Sequence, residues 1–238
     1  VQDLSRGNVV RNNAFSLYCG QITGIFGLVG SGRTETARII AGIDKRDFSR
    51  GGTIELNGQP VRYRVPRQAM KDGIVYVTED RKSDRFFETA TVAENLYAGL
   101  LASHLHHSPL VSRRAQSALA EQWRQRLNIR ALNPLEPVVA LSGGNQQKVV
   151  IGKSLVQQPR LIIFDEPTRG VDVGAINEIH QLINQLADDG LAVVVISSYL
   201  PEILALSDRI LVSRQGRIVE EFAADQADET KIMYAAVH

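Results

Sequence analysis

The stretch Leu141-Ser142-Gly143-Gly144-Asn145-Gln146-Gln147-Lys148 decides how the rest of this chain is read. Ser142, with its side-chain oxygen, stands at the expected cap position of a helix that continues to about Val156. Gly143 and Gly144 put no side chain over the amide end of that helix, so its partial positive charge stays open to close approach by an anion. An ordinary capped helix would look the same from these residues alone, and the flanking sequence separates the two readings.

Upstream, the apolar run Ile22–Phe26 leads into Gly27-Leu28-Val29-Gly30-Ser31-Gly32-Arg33-Thr34. This matches the phosphate-binding loop G-x-x-x-x-G-K-[ST] at every fixed position except the lysine, which is Arg33. Glycines let backbone amides converge on phosphate oxygens, the next helix offers its N-terminal charge, and Thr34 supplies a hydroxyl suited to magnesium. Downstream, Leu161–Phe164 ends in Asp165-Glu166-Pro167-Thr168. Asp165 at a strand tip suits hydrated magnesium, and Glu166 beside it can orient or deprotonate a water. Taken singly, the first segment also reads as a tight turn and the second as a strand terminator. The order of all three favours nucleotide chemistry.

The quoted octapeptide closely resembles the LSGGQ signature of ATP-binding-cassette (ABC) ATPases, and the whole chain resembles one of their nucleotide-binding domains. Gly32-Arg33-Thr34-Glu35, Glu79-Asp80-Arg81-Lys82, Asn145-Gln146-Gln147-Lys148 and Glu166 through Gly174 narrow the resemblance further. They look like the second half of fused bacterial sugar-import ATPases of the ribose, galactose, xylose and arabinose type. That resemblance implies an α/β fold, with a RecA-like P-loop NTPase core, an N-terminal antiparallel β portion and an inserted α-helical lobe. It implies a single domain over 1–238, with 1–90 and 158–238 forming the core and β portion and 91–157 the lobe, excised from a longer two-domain chain. The start at Val1, inside the approach to a strand, agrees with that expectation.

The resemblance also assigns roles. ATP is expected at Gly27, Leu28, Val29, Gly30, Ser31, Gly32, Arg33 and Thr34, with magnesium on Thr34 and Asp165 and with Glu166 as the catalytic base. Ser142, Gly143, Gly144 and Gln146 would face the ATP of a second domain, Glu79 would occupy the Q-loop position, Asp172 the D-loop and Ser198 the switch position. Three of these depart from the family pattern. Arg33 keeps charge but cannot place it as a compact ammonium between phosphates. Glu79 puts an anion where a neutral glutamine is usual, and Ser198 replaces an imidazole that would reach the γ-phosphate. No aromatic residue near Asn8–Val10 is present to stack on adenine. The expectation is a degenerate site of its own beside an intact signature that serves a partner. The implied partners are an N-terminal ABC domain of the same chain or a second ABC domain, transmembrane permease subunits and, indirectly, a periplasmic sugar-binding protein. The implied place is the cytoplasmic face of the bacterial inner membrane, held peripherally. A non-hydrolysing regulatory module and a soluble ABC protein unconnected with transport remain as alternatives.

Composition agrees. The 238 residues, 44% of them hydrophobic, can fill a substantial core, and 27 basic against 26 acidic side chains give no general pull toward nucleic acid. Apolar runs such as Leu191–Ile196 are far shorter than the roughly 20 residues that cross a bilayer. The single cysteine, Cys19, cannot form an internal disulfide and reads as a buried thiol.

Along the chain, Ala14–Tyr18, Ile22–Phe26, Thr53–Leu56 and Ile74–Val77 read as strands, with a helix starting near Arg33. Val92–Leu101, Arg113–Leu127 and Gln146–Val156 have helical spacing. Then buried strands Leu161–Phe164 and Val193–Ser197 alternate with helices Val173–Asp188 and Pro201–Leu206, and Arg209–Ser213 with Arg217–Glu221 reads as a hairpin. His104, His106 and His107 read as a polar loop, the basic run Arg62–Arg67 as a solvated face, and Trp123 as core of the lobe. Phe86 and Phe87 fit either packing beneath the lobe or a groove for a permease helix.

Overall fold

The computed structural model describes residues 1–78, 87, 89–103, 112–131 and 133–238. In chain order, the described strands and α-helices are β1 Leu4–Arg6, β2 Val10–Asn13, β3 Gln21–Gly27, α1 Arg33–Ile40, β4 Ile54–Leu56, β5 Gln59–Val61, α2 Pro66–Lys71, β6 Ile74–Val77, α3 Val92–Ala102, α4 Arg113–Arg126, α5 Gly143–Leu155, β7 Leu161–Asp165, α6 Val173–Asp188, β8 Ala192–Ser197, α7 Leu200–Leu206, β9 Arg209–Arg214, β10 Arg217–Ala223 and α8 Glu229–Val237. Two compact units result: 1–76 with 160–166 and 183–238, and 77–159 with 167–182.

The first unit is organised by a six-stranded sheet in the order β10-β9-β3-β8-β7-β6. β9, β3, β8 and β7 run parallel, and β10 returns antiparallel beside β9. Parallel strands need both faces covered, which is why β7 and β8 read as unbroken apolar runs and are buried throughout. Phe26, Ile25, Ile162, Ile163, Phe164 and Ile196 are among the large side chains fully enclosed here. Each contributes about 1.5–3 kcal/mol through removal from water. The phosphate loop follows β3 and the paired carboxylates close β7, so both sit at the carboxyl ends of parallel strands that flank β8, where open α/β sheets place their ligands.

Small antiparallel ribbons β1–β2 and β4–β5 make up the N-terminal β portion. Here the strands lie earlier in the chain than the apolar runs predict. Ala14–Tyr18 is no strand; β1 and β2 precede it, joined through Gly7 and adjoining turn residues. The charged and polar residues of Val10-Arg11-Asn12-Asn13 hid the second strand, because only its two end residues are buried. Cys19 is exposed rather than buried, since it lies in the turn after this segment. Helices α2 and α8 were not anticipated either. α2 has six residues and only Ala69 buried, and α8 follows the Asp228 cap at the chain end.

The second unit is helical around α3, α4 and α5. Thr91 and Glu94 form a reciprocal capping box at the start of α3, and hydrogen bonding to Thr91 holds the Glu94 carboxyl below its usual range. α3 and α5 approach closely because Gly99 faces Lys153: a β-carbon at Gly99 would lie 2.0 Å from the Lys153 carbonyl oxygen. Trp123 is buried, as its place in α4 predicts. No described helix is long and apolar enough to cross a membrane.

Candidate functional site

Local backbone geometry builds the phosphate loop. Gly30 and Gly32 have φ of 80° and 90°, a left-handed conformation that lets the chain turn from β3 into α1. At Gly32 there is also no room: a β-carbon would sit 2.5 Å from the Val9 carbonyl oxygen and 2.9 Å from the Gly216 α-carbon. The β9–β10 turn presses on the loop from outside. The Gly216 amide donates to the Ser31 carbonyl at 2.7 Å, and the Ser213 hydroxyl donates to the same oxygen at 2.9 Å. The loop is therefore braced in part by neighbours that share no part of its motif.

Within that frame Arg33 turns inward. Its Nη1 donates to the carbonyl oxygens of Gly27 and, at 2.9 Å, Leu28, while Nη2 lies 2.9 Å from Glu166 Oε1. The two side chains are only 10% and 9% exposed, so this is a buried ion pair. The Ser198 amide donates to the same Glu166 oxygen at 2.8 Å. Glu166 itself is held at φ 50°, with its own amide on the Ile196 carbonyl. Ser198 thus does reach the carboxylate, but through its backbone.

Asp165 is wholly buried and is held by two hydroxyls. Thr34 Oγ1 is 3.3 Å from Oδ1, and the Tyr76 hydroxyl donates to Oδ2. Tyr76 is absent from any sequence-derived site; its one signal was its place in an apolar strand two residues before Thr78. An aspartate and a threonine hydroxyl are hard oxygen donors of the kind magnesium takes. Two polar atoms fit a phosphate as well: Ser31 Oγ and Arg33 Nε are buried without a hydrogen-bond partner. Buried donors of this kind require an acceptor, and phosphate oxygens are acceptors. Val9, Leu28 and Val29 are exposed apolar side chains of this unit.

In the helical unit, α5 begins at Gly143, three residues before the start read from spacing. Ser142 occupies the cap position, but its side chain accepts no backbone amide, contrary to the capping expected of it. Asn145 takes that place: its Nδ2 donates to Ser142 Oγ at 2.9 Å and its Oδ1 accepts the Arg130 amide at 2.8 Å. Gln146 turns back to the Leu141 carbonyl at 2.9 Å. Gly144 packs on the start of α6, where a β-carbon would come within 2.3 Å of the Ala175 β-carbon. Asp172 Oδ1 accepts the Ala175 amide at 3.1 Å and so caps that start. Lys148 is buried, donating to the Asn128 carbonyl at 2.9 Å and to Glu178 Oε2 at 2.6 Å. Arg130, Ala140, Leu141, Ser142 and Asn145 line an open cleft of about 400 Å³ beside the helix start.

The matching family model, described as ABC transporter, covers residues 10–169. The chain belongs to the ABC transporter family. Over 99% of its length this cassette is 44% identical to the ribose import ATP-binding protein RbsA 2 of Rhizobium etli, and over 94% it is 40% identical to the arabinose import ATP-binding protein AraG of Pseudomonas syringae. It spans under half of each of those relatives, 46% and 43%. The fold agrees with a nucleotide-free ATP-binding cassette from an ABC transporter (TM-score 0.81, 21% identity, 100% and 97% of the two chains). It also agrees with cbiO1 from Clostridium perfringens (TM-score 0.79, 21% identity, 98% and 91%).

Glu79, Asp80, Arg81, Lys82, Phe86, His104, His106 and His107 lie outside the described residues. Phe87 is 60% exposed, its backbone held by the buried Asn95 side chain at 2.8 and 3.1 Å and its ring 5.1 Å from the Lys153 ammonium. Among the described residues, no His, Cys, Asp and Glu group of three or more could hold a metal.

Proposed function

We propose that this cassette is one of two ATP-binding halves that power import of a monosaccharide across the bacterial inner membrane, acting from its cytoplasmic face against permease subunits supplied by a periplasmic sugar-binding protein. Its own loop, Gly27 to Thr34, would hold ATP with magnesium near Thr34 and Asp165 and turn it over slowly, with Glu166 as the base to the extent that it does. Its signature, Ser142 to Gln146, would complete the site of the other half, with Asp172 at the same junction. The names of the relatives support the transport reading, and their greater length supports the pairing. The 1–90/158–238 core and 91–157 lobe division, and the Q-loop role of Glu79, belong to the same proposal.

The observation that carries it is the contrast in donor availability. Arg33 is committed to Glu166 and to loop carbonyls, whereas Ser142 accepts from Asn145 and retains its own proton for donation outward. A hydroxyl and bare helix amides aimed at a developing charge are the kind of preorganised donors that accelerate phosphoryl transfer. The test pairs the chain with a second cassette bearing an intact phosphate-loop lysine. ATP hydrolysis that depends on this chain and is lost in Ser142→Ala supports the reading. Single-turnover hydrolysis by this chain alone at the rate of an intact transporter refutes it, as does a Ser142→Ala pair that hydrolyses normally.

A further inference from the structure

Glu166 Oε1 already accepts two donors, Arg33 Nη2 at 2.9 Å and the Ser198 amide at 2.8 Å. A carboxylate oxygen has two lone-pair sites, so this oxygen has none left for a proton taken from water, and only Oε2 retains acceptor sites. Arg33 spends three of its five N–H donors here. Both Nη1 contacts go to the Gly27 and Leu28 carbonyls and Nη2 to the carboxylate, leaving the buried Nε as its one unpartnered nitrogen. Excluded from solvent, such a pair is not screened as a surface pair is, and withdrawing one member leaves an uncompensated charge.

We propose that Arg33 and Glu166 are rivals to the reaction: the phosphates of a bound nucleotide and the Glu166 carboxylate compete for one guanidinium. The pair therefore limits nucleotide affinity as well as turnover, and Glu166 acts as an internal anion in the phosphate loop. Lysine, with a compact ammonium and no fixed fork, could not grip two loop carbonyls and a carboxylate in this way. The Arg33 substitution thus installs a competing contact, beyond the loss of phosphate positioning. The inference rests on the reading that Gly27 to Thr34 holds a nucleotide.

The test uses this chain, magnesium and a non-hydrolysable ATP analogue, with binding measured by calorimetry. Glu166→Gln is expected to tighten binding on the order of tenfold, as one charge-assisted hydrogen bond is freed for phosphate. Removing any carboxylate near a triphosphate also relieves repulsion, so the same change is made beside Arg33→Met. There Glu166→Gln is expected to give a clearly smaller gain, because repulsion is relieved but no guanidinium remains to be released. Equal gains in the two backgrounds would overturn the proposal, as would unchanged affinity in Glu166→Gln. Should Glu166→Gln fail to fold by circular dichroism, Glu166→Asp keeps the charge while withdrawing the carboxylate, and it too must bind more tightly. Failure of the unmodified chain to bind any analogue would sink the underlying reading instead.

Discussion

The phosphate loop and the signature helix start are both glycine-rich, both lead into an α-helix, and differ in where their polar groups point. Around Gly27–Thr34 the charged side chains are engaged within the site: Arg33 with Glu166, Asp165 with the hydroxyls of Thr34 and Tyr76. At Ser142–Gly144, Lys148 and Arg130 pair with Glu178, the Asp172 carboxylate lies beside Gly144, and the end itself carries a hydroxyl and small residues. A loop can thus keep the shape of a catalytic motif while its chemistry turns inward, and a helix start with no charge of its own can stay available. Availability of donors, more than motif identity, distinguishes the two regions.

The largest expected effect breaks the signature side. Ser142→Ala in the paired assembly should lower ATP hydrolysis on the order of a hundredfold, measured as phosphate release, as loss of one preorganised donor does elsewhere. Gly144→Val should do at least as much, and it should also lower the melting temperature because Ala175 blocks the added carbons. On the opposite side, Arg33→Lys should raise single-turnover hydrolysis by the isolated chain about tenfold, since a compact ammonium serves the β and γ phosphates and leaves the base free. A rate unchanged by this substitution would mean that the fault of the site lies elsewhere. Tyr76→Phe should raise the magnesium concentration needed for half-maximal analogue binding by roughly tenfold, through loss of the hydroxyl that orients Asp165.

The smallest effect is a pH dependence confined to the signature side. The hydrogen bond from Lys148, aided by the charges of Lys148 and Arg130, holds the Glu178 carboxyl below its ordinary value of 4.5. A depressed carboxylate stabilises the fold above its unfolded-state pKa, and that contribution is lost as pH falls through the lower folded value. Glu178 is a third exposed, which limits the gain. Glu178→Gln should therefore reduce the melting temperature at pH 7 by a few degrees, and the difference should shrink as pH falls below the ordinary carboxylate range. A difference that persists at low pH would place the effect in packing.

Much of this was legible in residue order. The apolar runs of β3, β7 and β8 declared a covered parallel sheet, and the motifs at their ends located the candidate nucleotide site. What escaped the sequence depends on partners distant along the chain. Val10-Arg11-Asn12-Asn13 is a strand although half its residues are exposed, because pairing with Leu4–Arg6 stabilises it. The Tyr76 contact with Asp165 spans 89 residues and the Arg33 contact with Glu166 spans 133, and no local spacing encodes either. Asn145 was read as one letter of a motif, and its bond to the Arg130 amide, 15 residues away, gives it a mechanical role.

The pressure of the Gly216 turn upon Gly32 has a chemical corollary. The hairpin braces the loop at Ser31 and Gly32 through contacts that do not involve the side chain at position 33. A substitution there can thus change the chemistry of the loop while its outer support persists.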